Sequence, residues 1–369
     1  MLFAGTKVGL LNAIDRVSRI VKSNPKSVDI LQCIKVDSYA GKVYLIAISS
    51  MASARVQVAE AVLKSPGSFV VNLDRFKDRV SKAGDQLVLE SDDSSLKIVS
   101  SSDQRLGLRL NDPREFPDVE WELSDESYGL DQKDLVTLLK KAHSLASSAT
   151  SLTPAFMQAH LEDRKLWVAN GVSYQVFDVE CNPALKSSIP TQTLSALSAF
   201  IQESGGDTVW LAQMGDENVV VSVGDDQFQT TPLVVTFPNL EPLFSKVKIA
   251  TSHQLTFQRT ALINELSKGK TSADAYGRVT LFMKGVGGTT ITVDVKSEAG
   301  DWYQGKVPCT WMGTADRTLV FNLEALSKFL QSFSAENITL FVGEDFKGDL
   351  SAIYCEEEGH NGIVNQFRI

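Results

Sequence analysis

Cysteine, histidine and long apolar runs are scarce in this sequence. Its 369 residues include four cysteines and four histidines, and no apolar run approaches the roughly 20 residues that cross a bilayer. Cys33, Cys181, Cys309 and Cys355 lie far apart without paired spacing, so the sequence offers neither a disulfide framework nor a cysteine-based metal site. The start of the chain lacks the basic stretch and cleavage site of a signal peptide. We therefore expect a cytoplasmic protein with no membrane segment.

Patterns that carry catalytic chemistry are also lacking. Residues 285–288 have the composition of a phosphate-binding loop, but they join two predicted strands, which favours a hairpin turn. Cys355, residues 356–358 and His360 have no standard metal-ligand spacing, which favours an acidic surface loop. No serine lies in a Gly-x-Ser-x-Gly elbow. The sequence predicts neither an enzyme nor a metal or cofactor site.

Positive charge is outnumbered in the chain as a whole. There are 36 Lys and Arg residues against 45 Asp and Glu residues, and a net charge of −9 argues against a nucleic-acid-binding protein. The distribution of charge along the chain modifies that conclusion. The six predicted helices carry a net charge of +6, and the remaining residues carry a net charge of −15. Two interpretations stay open: lysines that only solubilise amphipathic helices, or a cationic helical surface. The predicted helices span residues 7–22, 74–82, 131–143, 190–203, 253–270 and 323–336.

A unit of one helix followed by several strands recurs along the chain. Two copies end on similar segments 121 residues apart, at residues 116–118 and 237–239. Residues 72–74 and 322–324 are near copies that place an asparagine where a helix N-cap belongs. Three tandem copies of about 123 residues account for the whole length. The sequence therefore predicts three domains, with boundaries at residues 1–122, 123–247 and 248–369.

Strands outnumber helices in the prediction, so we expect the helices to cover one side of the sheets. A polar linker is expected at residues 120–125, a mobile loop at 144–153 and a second linker near 245–249. The alternating and short apolar runs that indicate strands lie at residues 29–36, 43–48, 54–58, 69–71, 87–90, 96–99, 106–110, 156–161, 166–169, 174–179, 209–211, 219–223, 233–235, 279–283, 290–295 and 338–341.

Together these features resemble a divergent bacterial sliding clamp, the beta subunit of the replicative DNA polymerase. The resemblance covers all three predicted domains. Its carriers are residues 96–118, 168–171, 237–239 and 367–369. The family's Thr-Asp-Gly-His-Arg-Leu signature appears here as Ala-Asn-Gly-Val-Ser-Tyr at residues 169–174. This departure indicates a bacteriophage or mobile-element version of the family.

The resemblance implies an α+β fold of three tandem DNA-clamp domains, each with two helices on an antiparallel sheet layer. Two subunits would close head-to-tail into a homodimer ring, which leaves no free sheet edge. With packed helices roughly 8–10 Å apart, twelve helices would line an opening of roughly 22–28 Å, enough for duplex DNA. The implied function is a processivity factor that tethers the replicative DNA polymerase, loaded by a separate ATP-using clamp-loader complex. The alternative from the sequence is a β-rich structural or assembly protein, such as a virion component, without DNA-tethering activity.

The resemblance also implies three sets of site residues. The DNA-facing set is Arg16, Arg19, Lys22, Lys26, Arg75, Arg79, Lys133, Lys140, Lys141, Arg259 and Lys268. The pocket between the second and third domains would receive a short apolar peptide from the polymerase and the loader, and its residues are Ala169, Gly171, Tyr174, Pro238, Leu243, Ile363 and Phe367. The dimer interface would place Leu106 and Leu108 of one subunit against Leu262 and Ile263 of the other. Ordinary surface charges, interdomain contacts and core residues are the respective alternatives.

Overall fold

The computed structural model describes residues 1–22, 28–101, 104–121, 127–146, 153–214, 218–273, 277–285, 287–343 and 352–366. Two predicted site residues, Lys26 and Phe367, lie outside these ranges. Most of the linker predicted at residues 120–125 and of the loop predicted at residues 144–153 also lies outside them. The chain divides into two compact units. Unit 1 comprises Met1–Lys140 and Cys181–Leu233, and unit 2 comprises Lys141–Glu180 and Val234–Ile369.

Seven α-helices lie within the described residues, one more than the sequence predicts. They are α1 (Lys7–Lys22), α2 (Leu73–Lys82), α3 (Gln132–Ala146), α4 (Thr191–Glu203), α5 (Glu241–Ala250), α6 (Arg259–Gly269) and α7 (Leu323–Ser332).

Strands make up most of the remaining regular structure. They are β1 (Leu2–Thr6), β2 (Cys33–Tyr39), β3 (Lys42–Ile48), β4 (Ala52–Gln57), β5 (Val62–Ser65), β6 (Ser68–Asn72), β7 (Gln86–Ser91), β8 (Ser95–Ser100), β9 (Arg105–Arg109), β10 (Tyr128–Asp131), β11 (Gln158–Glu162), β12 (Lys165–Ala169), β13 (Ser173–Asp178), β14 (Ser187–Pro190), β15 (Thr208–Met214), β16 (Asn218–Val223), β17 (Asp226–Thr230), β18 (Thr251–Gln258), β19 (Arg278–Met283), β20 (Thr290–Lys296), β21 (Trp302–Trp311), β22 (Arg317–Asn322), β23 (Asn337–Gly343), β24 (Ala352–Glu357) and β25 (His360–Asn365).

Unit 1 contains two antiparallel sheets. The first has the strand order β5-β1-β7-β8-β9, and the second has the order β10-β15-β16-β17-β4-β3-β2-β6. In the second sheet β17 pairs with β4, with Gln227 opposite Arg55, so strands of the first and second predicted domains share one sheet. Helix α1 packs against β3, β4 and α2. Its buried residues Leu10, Ile14 and Val17 recur at helical spacing, which explains why its bounds match the prediction.

Unit 2 is built on one long sheet. Its strands follow the order β11-β12-β13-β25-β24-β23-β18-β21-β20-β19-β22. Helices α6 and α7 bury Leu262, Leu266, Phe329 and Leu330 in one apolar core with the strands from β18 to β23. The hairpin predicted around residues 285–288 is confirmed, because β19 pairs antiparallel with β20.

Helix α2 and helix α7 begin with the predicted caps. Asn72 accepts a hydrogen bond from the backbone N–H of Arg75 at 3.2 Å, and Asn322 accepts one from Ala325 at 2.9 Å. These bonds satisfy backbone donors that the first helical turn leaves open. The repeated asparagine is therefore the helix N-cap in both units.

Three predicted elements are wrong. The helix predicted at 253–270 is strand β18 up to Gln258, and α6 begins at Arg259. The strand predicted at 233–235 is absent from these described residues, and the Val234 side chain is fully exposed. The linker expected near 245–249 lies inside α5. No helix within the described residues is long and apolar enough to span a membrane.

Candidate functional site

Arg16, in the middle of α1, is held by an internal ion pair of unit 1. Its Nη1 donates to Asp226 Oδ2 at 2.6 Å, and its Nη2 donates to Ser204 Oγ at 2.5 Å. The guanidinium also lies over the Phe200 ring, 4.9 Å from the centroid. Its side chain is 11% exposed. This environment contradicts a DNA-facing position for Arg16, because its charge is neutralised inside the protein.

The end of α1 carries the two other cations predicted there. Arg19 makes two hydrogen bonds of 2.6 Å to the Glu203 carboxylate. That bond raises the pKa of Arg19 and lowers the pKa of Glu203. Lys22 is exposed. Both side chains line an open cavity of about 1100 Å³ in unit 1. This surface is therefore mixed in charge rather than strongly cationic.

Helices α2 and α3 present further cations of unit 1. Arg75, Lys133 and Lys140 are exposed, and Arg79 is half-buried. Lys140 Nζ donates to the neutral Gln202 Oε1 at 2.9 Å, which leaves its charge uncompensated at that contact. Arg75, Lys133 and Lys140 keep the exposure that a contact with phosphate requires, and Arg79 keeps part of it.

The three predicted cations of unit 2 are more strongly engaged. Lys141 Nζ donates to Ser334 Oγ at 2.9 Å, and burial lowers the pKa of this lysine. Arg259 Nε donates to the Ala335 carbonyl oxygen at 2.8 Å. Lys268 Nζ donates to Glu265 at 2.5 Å. Their charges are thus partly committed to neighbours in the same unit.

The partition of charge that the sequence predicts persists with the observed helices. The seven described helices contain 16 Lys and Arg residues and 8 Asp and Glu residues, whereas the whole chain contains 36 and 45. The helices are therefore cationic and the rest of the chain is anionic.

A second group of predicted residues meets in an apolar cluster, which we call the unit 2 apolar cluster. Its half-buried rim includes Phe156, Tyr174, Leu243 and Phe341. Its buried members are Trp167, Ala169, Val176, Phe237, Leu240, Phe244, Val247, Ala352, Tyr354 and Ile363.

The predicted pocket residues occupy different depths of this region. Ala169 and Ile363 are fully buried, so they support the surface from beneath. Tyr174, Pro238 and Leu243 are half-buried. Gly171 is exposed with φ of 85°, a left-handed conformation that favours glycine. Tyr174 donates its hydroxyl to the Gly171 carbonyl oxygen at 3.2 Å, which ties the turn to the ring.

Aromatic pairs fix the geometry of the unit 2 apolar cluster. Phe237 stacks on His160 with centroids 5.3 Å apart and planes 11° from parallel. Phe244 meets the Trp167 ring edge-on at 5.5 Å. Phe244 lies on α5, which the sequence prediction missed. Such a rigid apolar surface can accept the side chains of a short peptide.

The predicted interface residues of unit 1 lie on an edge strand. Leu106 is half-buried and Leu108 is 9% exposed, both on β9 at the edge of the five-stranded sheet. In unit 2, Leu262 is fully buried in the core, which contradicts a contact with another subunit. Ile263 beside it is half-buried and remains available.

Strand β21 supplies an edge that the sequence prediction missed. Residues 302–308 pair with β20 on one side, and β18 pairs with β21 along residues 309–311. In the part of the chain that the structure describes, the other side of residues 302–308 has no strand partner. Trp302 at its start is 69% exposed. The alternation of Tyr303, Val307 and Trp311 was a strand signal that could have revealed β21.

The segment from Cys355 to His360 is not the acidic surface loop that the sequence predicts. Cys355 and His360 are buried on β24 and β25, and burial raises the pKa of the Cys355 thiol to about 12. Glu357 accepts hydrogen bonds from the backbone N–H groups of Ser334 and Ala335. Among the described residues there is no group of three or more His, Cys, Asp or Glu side chains that could hold a metal ion.

Solved structures of sliding clamps match the chain along its entire length. The DNA polymerase III subunit beta from Pseudomonas aeruginosa superposes with a TM-score of 0.86 at 14% identity, covering 100% of both chains. The DNA polymerase III beta chain from Streptococcus pneumoniae gives 0.84 at 18% identity, and the beta sliding clamp from C. crescentus gives 0.87 at 16% identity, each with both chains fully covered. A scan against protein-family models finds no match, and a search of curated proteins finds none either.

The chain therefore has the sliding-clamp fold. The α+β architecture predicted from the sequence is confirmed, and so is the structural resemblance to the beta subunits of DNA polymerase III. The identities of 14–18% explain why the sequence carries the resemblance in scattered segments rather than in an intact signature.

Proposed function

We propose that this chain is a DNA sliding clamp, a non-catalytic processivity factor that encircles duplex DNA and tethers the replicative DNA polymerase. The observation that carries the proposal is the superposition on sliding clamps over the full length of both chains, with TM-scores of 0.84–0.87. We further propose that the three domains span residues 1–122, 123–247 and 248–369, and that two subunits close the ring.

The proposed DNA-facing surface combines exposed cations with internal ion pairs. Its strongest members are Lys22, Arg75, Arg79, Lys133 and Lys140, and Arg19, Lys141, Arg259 and Lys268 contribute less because they are engaged with neighbours. Lys26 stays in the set as a prediction from the sequence. A ring retained by its topology needs few phosphate contacts, and weak contacts let it slide. The neutralised Arg16 and the ion pair of Arg19 suit this requirement.

The proposed dimer interface joins the two strand edges described above. Strand β9 of one subunit would pair with residues 302–308 of β21 in the other, which satisfies two rows of open backbone groups. Leu106, Leu108 and Ile263 would supply the apolar part of the contact. Arg105 and Arg109 on β9 complement Glu298 and Asp301, which immediately precede β21.

The unit 2 apolar cluster is the proposed docking site for a short apolar peptide of the polymerase or of the clamp loader. Tyr174, Pro238 and Leu243 would contact the peptide, Gly171 would let its backbone approach, and Ala169 and Ile363 would support the surface. Phe367 stays in the set as a prediction from the sequence. The clamp from Pseudomonas aeruginosa has been solved bound to griselimycin. We propose that this compound also binds here, which makes it a probe for the site.

The rest of the proposal concerns how the clamp is loaded onto DNA, where it is located and which genome encodes it. Loading by a separate ATP-using clamp loader, cytoplasmic location and bacteriophage origin are predictions from the sequence resemblance. The alternative of a β-rich structural protein predicts stable oligomers without topological retention on DNA, so the two functions are separable by experiment.

The solution mass tests ring assembly. At micromolar concentration, sedimentation equilibrium should give about 80 kDa, twice the 40.3 kDa of the chain. A strict monomer under these conditions would contradict the closed dimer. Topological retention on DNA separates a clamp from a structural dimer, because only a closed ring stays on a blocked duplex at high salt.

A further inference from the structure

Unit 1 contains an aromatic pocket around Arg55, far along the chain from the unit 2 apolar cluster. The Arg55 guanidinium lies over three rings, with its Cζ 4.9 Å from the Tyr44 centroid, 5.5 Å from Trp121 and 5.6 Å from Tyr39. The pocket has a volume of about 690 Å³, and residues 117–121 are part of its lining. Cation–π contacts hold the guanidinium in place without neutralising its charge.

Among the residues that the structure describes, no carboxylate forms an ion pair with the half-buried Arg55. Its Nε atom is buried and has no hydrogen-bond partner among the described residues. Burial lowers the pKa of Arg55, because no carboxylate compensates fully for the lost water. By contrast, the buried Arg16 of the same unit is paired with Asp226 at 2.6 Å. A half-buried cation whose lost hydration is not fully compensated is costly, so an incoming carboxylate would gain free energy here.

Further unpartnered polar atoms lie in register with Arg55. Across the sheet, Arg55 is opposite Gln227, and Gln227 is opposite Ser222. Gln227 Oε1 and Ser222 Oγ are both buried without a hydrogen-bond partner in the described part of the chain. Cross-strand neighbours in register share one face of a sheet. Arg55 therefore lies at the pocket end of a cross-strand row of polar side chains that includes the buried Gln227 and Ser222.

The charges around the pocket favour a peptide over a nucleic acid. Lys35 lies 3.7 Å from Asp118, whose side chain is 98% exposed. Asp37 and Glu120 also line the pocket. Together with Arg55 these groups carry a net charge of −1, so the pocket can accept a single carboxylate at Arg55 but disfavours the many charges of a phosphate backbone. A peptide presents one carboxylate for Arg55 and backbone N–H groups for the surrounding acids.

The internal repeat gives the pocket a counterpart. Phe116 in unit 1 and Phe237 in unit 2 begin the two similar segments of the sequence, and each packs in an apolar cluster on antiparallel strands. In unit 2 that cluster is the peptide site proposed above. In unit 1 the corresponding region differs, because the guanidinium of Arg55 lies among its aromatic rings.

We propose that the Arg55 pocket binds an aspartate or glutamate side chain within a peptide segment of a partner protein, with an adjacent aromatic or aliphatic residue packed against Tyr39 and Trp121. This site goes beyond the proposed function, since it adds a second class of peptide contact on a different unit. Its recognition rests on the carboxylate, whereas the unit 2 apolar cluster recognises apolar side chains.

Fluorine NMR of the full chain labelled with 5-fluorotryptophan tests the proposal. The chain has five tryptophans, and a Trp121→Phe variant identifies the Trp121 signal. The probe is the peptide acetyl-Ala-Phe-Asp-Ala-amide, and the matched control peptide has Asn in place of Asp. We expect the Asp peptide to shift the Trp121 signal saturably and to bind about tenfold more tightly than the Asn peptide.

Variants of the protein test whether the Asp peptide binds at the Arg55 pocket. Arg55→Met should weaken binding of the Asp peptide about tenfold. Lys97→Gln, which removes an exposed cation on another sheet of unit 1, should leave binding unchanged. Tyr39 is 63% exposed, so Tyr39→Ser gives a second test even if the Arg55 variant fails to fold. Tyr39→Ser should weaken binding about threefold, because it removes one of the three aromatic rings that contact the Arg55 guanidinium.

Several results would overturn the proposal. They are equal binding of the Asp and Asn peptides, unchanged binding by a folded Arg55→Met, unchanged binding by Tyr39→Ser, and no Trp121 shift at millimolar peptide. Tighter binding of inorganic phosphate, of a DNA oligonucleotide, or of acetyl-Ala-Phe-Ala with a free C-terminal carboxylate would also overturn it. The measurement needs neither ring closure nor DNA, so its failure leaves the sliding-clamp proposal unaffected.

Discussion

Arg16 and Asp226 form a nearly buried ion pair between helix α1 and strand β17, 210 residues apart in sequence. Their side chains are 11% and 12% exposed, and the Nη1–Oδ2 distance is 2.6 Å. Asp226 also accepts a hydrogen bond from the backbone N–H of Gln57 at 2.7 Å. Within unit 1, the pair joins a helix of the first predicted domain to a strand of the second.

Breaking this pair should destabilise unit 1. Asp226→Ala leaves the Arg16 guanidinium buried without its acid and removes the acceptor of Gln57, so we expect the free energy of unfolding to fall by about 3 kcal/mol. Urea unfolding followed by circular dichroism measures the change. The matched control is Asp225→Ala, which removes an exposed ion pair with Lys42 and should have a much smaller effect. Equal effects of the two substitutions would contradict a special role for the buried pair.

Acid should weaken unit 2 through His360. The imidazole is stacked between Phe177 and Phe333, 4.2 Å and 4.1 Å from their centroids, and contacts Glu357 and Gln175 at 3.3 Å and 3.2 Å. Burial lowers its pKa to about 4, and Glu357 opposes that shift only in part. An unfolded histidine has a pKa near 6.5, so between pH 6.5 and 4 the unfolded chain binds more protons and stability falls as pH falls.

Unfolding by urea at several pH values tests this dependence. His360→Gln should reduce the loss of stability between pH 6.5 and 4, whereas a control substitution of the half-buried His143 by Gln should retain it. The loss of stability between pH 6.5 and 4 is assigned to His360. The pKa of Glu357 is lowered, so protonation of Glu357 reduces stability only at more acidic pH. An identical pH dependence in wild type and His360→Gln would show that another group is responsible.

The exposed edge of β21 should control self-association. Trp302→Arg adds a positive charge to the proposed contact with β9, which already carries Arg105 and Arg109, and we expect the solution mass at micromolar concentration to fall from about 80 kDa to about 40 kDa. Sedimentation velocity measures the shift. Trp210→Arg is the matched control, because Trp210 is 45% exposed on a different sheet. A dimer that survives Trp302→Arg but dissociates with Trp210→Arg would place the interface elsewhere.

The half-buried Leu243 on α5 should determine binding of griselimycin. Leu243→Asp introduces a charge at the rim of the unit 2 apolar cluster, so we expect at least about a tenfold loss of affinity by isothermal titration calorimetry. Leu233→Asp in unit 1 serves as the control and should bind normally. Unchanged affinity of Leu243→Asp would exclude the cluster as the binding site.

Helix α1 and the asparagine caps could be predicted from sequence because local patterns decide them. A single apolar stripe defines α1, and Asn72 and Asn322 satisfy backbone donors within their own turns. Strand β18 was predicted as the start of a helix, because Leu255 continues the helical spacing of Leu262 and Leu266. The buried alternation of His253, Leu255 and Phe257 was the competing signal for a strand.

Elements decided by distant partners could not be predicted. Strand β17 contains Gln227 and Gln229, yet it is buried because β16 and β4 pair with it on either side. Helix α5 buries Phe244 and Val247 and is otherwise largely exposed, so its periodicity is weak. Likewise, the neutralisation of Arg16 depends on Asp226, 210 residues away, and no local pattern reveals it. The sequence therefore indicates which residues are cationic but not which cations stay free.

Topological retention on DNA tests the central claim most directly. The protein is threaded onto a linear duplex that is fixed to a bead at one end, and the free end is then blocked with streptavidin. A closed ring should remain on the blocked duplex through a wash at about 0.5 M salt, which removes phosphate-dependent binding, and cutting the duplex with a restriction enzyme should release it. Loss during the salt wash regardless of the block, or retention after the cut, would contradict a sliding clamp.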